Sequence, residues 1–111
     1  MPVILAVRDL AFRSKILAAA ERLGTTVKIA PRGTPLDQAA RDLGPGTLVV
    51  DLGEPGVVEQ IPAAKAAGAG RVVGVLGHLQ ADLMEASPRA GVDEVLTRGQ
   101  FVQRLDDILR G

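Results

Sequence analysis

Short stretches dense in apolar residues alternate along the chain with segments in which apolar residues return every three or four positions. Val3 to Val7 is apolar without interruption and reads as a strand buried on both faces, with Arg8 and Asp9 at its carboxyl end. The period then changes. Phe12, Ile16, Leu17, Ala20 and Leu23 recur at helical spacing and Gly24 follows as a stop, which predicts a helix over Ala11 to Leu23. A second strand is expected over Thr25 to Ala30, closed by the breaker Pro31-Arg32-Gly33. Thr34 then reads as a helix cap and Pro35 as the first helical residue, with Leu36, Ala39, Ala40 and Leu43 forming the apolar stripe until Gly44-Pro45-Gly46.

The stretch from Thr47 to Asp51 is a third strand, and it stops abruptly on a carboxylate. Beyond Pro55, Val57 to Ala67 is helical in composition but carries Pro62, so the helix either begins near that proline or is kinked by it. Arg71 to Gly77 is a fourth strand, Leu79 to Ala90 a helix strained near its end by Pro88, and Val92 to Thr97 a fifth strand. Phe101, Leu105 and Ile108 share one face of a closing amphipathic helix over Phe101 to Arg110. Five strands alternating with five helices predict an α/β, doubly wound parallel sheet with right-handed crossovers and helices on both faces. Asp51 then lies at the carboxyl end of a central strand, where open α/β sheets keep their chemistry.

Composition narrows the classes of function. At 111 residues the chain is read as a single domain over 1–111 that can bury a core without staples. It has no cysteine, which excludes disulfides, thiolate metal sites and thiol nucleophiles. Its 13 basic and 13 acidic residues cancel, and Phe12 and Phe101 are its only aromatics, so neither the field nor the stacking platform of a nucleic-acid binder is present. The apolar start lacks a basic leader and no run approaches a membrane span, so a cytoplasmic location with no membrane partner is expected. Gly68-Ala69-Gly70-Arg71-Val72-Val73-Gly74 misses the spacing of a dinucleotide fingerprint and precedes a strand instead of following one.

The alternation of elements, the length, and the acids at the ends of strands one and three together resemble the response-regulator receiver domain, the CheY-like family with its flavodoxin-like strand order 2-1-3-4-5. The resemblance spans nearly the whole chain. It puts Asp51 at the phosphoacceptor position with Pro55 at the proline four residues on, and Asp9 at the second of two metal-binding acids. Ala90-Gly91-Val92 matches the turn before strand five, and Thr97-Arg98-Gly99 falls where the family has lysine and proline.

Four positions depart from the family pattern. Arg8 stands in place of the first acid, Leu76 in place of a hydroxyl residue, Val95 in place of an aromatic switch residue, and Arg98 in place of the lysine. The segment after Pro55 is also short, which predicts a reduced third helix.

In the family, Mg²⁺ is held by the acids, by a backbone carbonyl that here belongs to Gly53, and by water and phosphate. Asp9 and Asp51 are thus the candidate metal ligands. Arg8 sets a cation beside them, and at about 4 Å and an effective dielectric near 20 such a contact costs roughly 4 kcal/mol per unit charge. Magnesium occupancy is therefore disfavoured, no other cofactor is expected, and Arg8 and Arg98 are expected to neutralise Asp9 and Asp51.

The resemblance is thus to a degenerate receiver, or pseudo-receiver. The expectation is a stand-alone module of two-component signalling that works by contact with a protein partner, such as a histidine kinase or another signalling protein, through helix four, strand five and helix five. No catalytic residue is assigned, and homodimerisation stays open. Two alternatives remain at this point. One is a working phosphoreceiver modified at Asp51; the other is a small α/β enzyme or ligand-binding domain with its pocket at Asp9, Asp51 and His78. Glu54 reads as a solvated loop acid.

Overall fold

The computed structural model describes residues 2–77 and 80–110. Its sheet has five strands in the order β2-β1-β3-β4-β5: β1 (Val3–Ala6), β2 (Val27–Ile29), β3 (Thr47–Asp51), β4 (Arg71–Leu76) and β5 (Glu94–Thr97). Every pairing is parallel, with Leu5 opposite Val49 and Asp51 opposite Val75.

The uninterrupted apolar strands are explained by two cores. Side chains alternate across a strand, so Val3 and Leu5 enter one cluster while Ile4 enters the other, and Val49 is parted in the same way from Leu48 and Val50. The first cluster is completed by helices α1 (Leu10–Leu23), α5 (Arg98–Gln103) and α6 (Leu105–Arg110), which contribute Phe12, Ile16, Phe101 and Ile108. The second is covered by α2 (Leu36–Leu43), α3 (Val57–Ala66) and α4 (Ala81–Ala90). No helix among the described residues is long and apolar enough to cross a membrane.

Helix boundaries correct an expectation in two places and decide between two in a third. Thr34 is not a cap: Pro35 occupies that position with φ −58° and ψ 147°, the helix starts at Leu36, and no neighbouring side chain caps it. The Leu36 amide instead donates to Gln60 Oε1 of α3 at 2.9 Å, so a tertiary contact replaces the local one. Helix α3 runs through Pro62 from Val57, because Val57, Ile61 and Ala64 bury one continuous stripe that outweighs the missing amide. The closing segment is two helices: the chain turns at Arg104, whose guanidinium reaches back to Glu94 on β5.

Strand β2 is also shorter than Thr25 to Ala30, and β5 begins at Glu94. The expected start of the fourth helix at Leu79 lies outside the described residues; α4 is described from Ala81.

Candidate functional site

Asp9 is built into the fold before it can serve any chemistry. It precedes α1 in an extended conformation, φ −63° and ψ 113°, and its Oδ1 accepts the Phe12 amide at 3.0 Å, closing the first turn of the helix. Its Oδ2 accepts from Arg98 Nη1 at 2.7 Å, across 89 residues of sequence. The guanidinium of Arg98, and then the Phe12 amide, hold the Asp9 carboxyl below the usual aspartate range.

Arg98 also lies over the Phe12 ring, 5.2 Å from its centroid, and Phe12 packs at 5.2 Å against the fully buried Phe101. The chain from Asp9 through Arg98 and Phe12 thus ends in the hydrophobic core.

Asp51 is placed differently. It is the last residue of β3, and its Oδ1 accepts the Gly53 amide at 3.0 Å, a local turn of the kind Asp forms with the residue two positions on. The same turn is closed by the Glu54 amide donating to the Asp51 carbonyl at 3.2 Å, and the Leu52 amide still donates to Val75 of β4. No lysine or arginine among the described residues stands within ion-pair distance of the Asp51 carboxylate.

The expected neutralisation by two arginines is therefore realised at Asp9 alone. Arg8 turns to Glu54, with Nε 2.9 Å from Oε1, and Glu54 is the more enclosed partner, its side chain 20% exposed against 53% for Arg8. Glu54 is a paired acid and not a solvated one. A loop-to-loop ion pair of this kind carries no periodic signal, which is why the sequence pattern missed it.

Arg8, Asp51, Gly53, Glu54, Gly77, Gln80 and Arg98 line one shallow cleft at the carboxyl edge of the sheet. Leu76 is not in its wall: it is 1% exposed and packs in the cluster beneath α2, α3 and α4, while Gly77 lines the cleft beside Asp51. Neither residue carries a hydroxyl. Val95 is partly buried against the same cluster. His78, the other candidate for the cleft, lies outside the described residues. Among the described residues, no three Asp, Glu or His side chains converge in a way that could hold a metal ion.

Solved structures share this architecture. A response regulator from Hahella chejuensis superposes with a TM-score of 0.82 at 15% identity, over 98% of this chain and 92% of that one. The fold is that of response-regulator receiver domains. A response regulator from Thermotoga maritima aligns over 99% of this chain and 98% of its own at 18% identity and a TM-score of 0.75. A response regulator protein from Burkholderia pseudomallei, solved with a phosphorylated aspartic acid, a calcium ion and citrate, aligns over 97% of this chain at 17% identity and a TM-score of 0.80. The chain spans 65% of the length of that last protein. No family model and no curated protein matches the sequence.

Proposed function

We propose that this protein is a receiver-fold signalling module that acts through contact with a protein partner and without magnesium-dependent phosphorylation of Asp51. The observation that carries the reading is the commitment of Asp9. One of its oxygens caps α1 and the other holds Arg98, so the acid that the resemblance assigns to the metal is engaged twice by the fold.

Mg²⁺ asks for hard oxygen ligands in near-octahedral array. The cleft instead sets two guanidiniums, Arg8 and Arg98, beside Asp51 and Glu54, while Asp9 lines a separate hollow with Phe12, Lys15 and Arg98. Leu76 and Gly77 supply no hydroxyl to bond a phosphoryl oxygen. These residues do not fit the family's metal site, and no step through a metal is assigned to them. The partner surface suggested by the resemblance is the side of the sheet formed by α4, β5 and α5, for a kinase or another signalling protein, in the cytoplasm.

One observation favours a second reading. Asp51 faces the open cleft with only a backbone amide bound, so it is not neutralised as Asp9 is. A phosphoreceiver that tolerates arginine would look like this. Intact-mass measurement after incubation with acetyl phosphate and magnesium separates the two, with Asp51→Asn as the control. The expected result is no phosphoryl adduct on the folded protein. An adduct that disappears in Asp51→Asn would replace the first reading with the second.

A further inference from the structure

The more enclosed hollow at this end of the sheet is not the cleft over Asp51. A cavity of about 360 Å³ lies between the carboxyl end of β1, the first turn of α1, the loop from β2 to α2 and the start of α3. Its size falls in the range of small-molecule sites. Arg8 and Glu54 line both spaces, so their ion pair stands as a wall between them.

The floor is apolar, with Leu36 and Val57 buried beneath it. At its edge Leu10 is 68% exposed, the most exposed large apolar side chain among the described residues. The rim carries three arginines, Arg8, Arg13 and Arg32, against one acid, Glu54. In a chain whose charges cancel overall, this is a local excess of two positive charges. Glu54 is taken by Arg8, whereas Arg13 and Arg32 have no carboxylate partner among the described residues.

The N-terminus of α2 also opens here, but its Leu36 amide is already satisfied by Gln60. Recognition of an anion therefore falls to the guanidinium forks, which pair with phosphate through two parallel bonds.

We propose that this cavity binds a small phosphorylated organic molecule, its phosphate held between Arg13 and Arg32 and its apolar or planar body resting on Leu10, Leu36 and Val57. A phosphate monoester carries about −1.5 to −2 charges at neutral pH, which matches the excess at the rim. Free inorganic phosphate would leave the apolar floor uncovered. A nucleic-acid polymer finds no extended basic surface on a chain of zero net charge. The site is separate from Asp51, and the inference stands whether or not Asp51 is phosphorylated.

The test is a titration of ¹⁵N-labelled protein followed by amide chemical shifts, with AMP, ribose 5-phosphate and phenyl phosphate as probes and with adenosine and inorganic phosphate as their separated halves. At least one phosphorylated probe is expected to shift the amides of Ala6, Gly33, Thr34 and Val57 saturably. The matching half-molecules should bind about tenfold more weakly or worse, since each drops one set of contacts worth roughly a tenfold factor. Arg13→Ala/Arg32→Ala should weaken the best probe at least about tenfold, while the same spectrum reports that the variant is folded. Arg32→Ala alone, a change in an exposed loop, is expected to give part of that loss. The proposal is overturned if no probe shifts these amides at millimolar concentration, if the double variant binds as tightly as the parent, or if the shifts gather instead at Gly53, Gly77 and Gln80.

Discussion

Two acids at the carboxyl edge of one sheet lead different lives. Asp9 closes the first turn of α1 and grips Arg98, which lies on Phe12, which packs on Phe101. Asp51 holds one amide of its own turn. The difference lies in the segment that each strand leads into: β1 runs into a helix whose orphan amides need an acceptor, whereas β3 runs into a tight turn that satisfies itself. One acid has become part of the architecture, and the other has been left to face solvent.

The largest test of this contrast is to cut the support under Asp9. Phe101 is fully buried, and Phe101→Ala is expected to cost about 3–5 kcal/mol in urea-induced unfolding. The comparison predicts more than a loss of stability. With the Phe12 ring unsupported, Arg98 should loosen from Asp9, and the amide shift of Phe12 should move while that of Gly53 stays. Equal movement at both amides would mean that the surroundings of Asp9 and of Asp51 are not separately supported.

The complementary change acts beneath Asp51. Gly74 lies on β4 opposite Val50, and a Cβ there would come 2.4 Å from Leu52 Cδ1 and 2.6 Å from its Cγ. Leu52 is the next residue after Asp51 and is 1% exposed, so the side chain has little space into which to withdraw. Gly74→Ala is expected to cost about 1–3 kcal/mol by overpacking, and to disturb the Gly53 amide while leaving that of Phe12 in place. This is the mirror image of the Phe101 result, read by the same two signals.

How much of this arrangement could be read from the residues alone differs between fold and site. The central strands were plain, because runs such as Leu48-Val49-Val50 can be buried on both faces only inside a covered parallel sheet. The alternation of strands and helices then led to a doubly wound parallel sheet, and the resemblance to the receiver family supplied the strand order that is observed.

Where the reading fell short, contacts between distant segments had overruled local signals. The cap expected at Thr34 gave way to Gln60, a side chain 24 residues beyond Leu36. Local rules left Pro62 as either the start of α3 or a kink within it, and the stripe of Val57, Ile61 and Ala64 carries the helix from Val57 through it. At the site, Asp9, Asp51 and Arg98 could be placed from the ends of strands. That Arg98 would choose Asp9, that Arg8 would choose Glu54, and that Arg13 and Arg32 would line one cavity depend on how helix ends and loops come together, which has no period.

The smallest expected effect gives the sharpest comparison, because it exchanges single atoms. Asparagine is as good a helix cap as aspartate, so Asp9→Asn keeps an acceptor for the Phe12 amide and removes the charge that holds Arg98. The Asp9 carboxyl is held below the aspartate range, first by Arg98 and then by the Phe12 amide, so its stabilising contribution is fully present above the unfolded pKa of about 3.9. It is lost as the pH falls through the lower folded value. The melting temperature of Asp9→Asn should therefore lie below that of the parent at pH 7, and the two curves should converge as the pH is taken below 4.

Asp51→Asn also keeps an oxygen for its turn, and at pH 7 it should melt within about 3 °C of the parent, as expected for a polar change outside the core. If Asp51→Asn proves the more damaging of the two, or if Asp9→Asn and its parent remain apart by the same margin down to pH 3, the division between an architectural acid and a spared one is wrong.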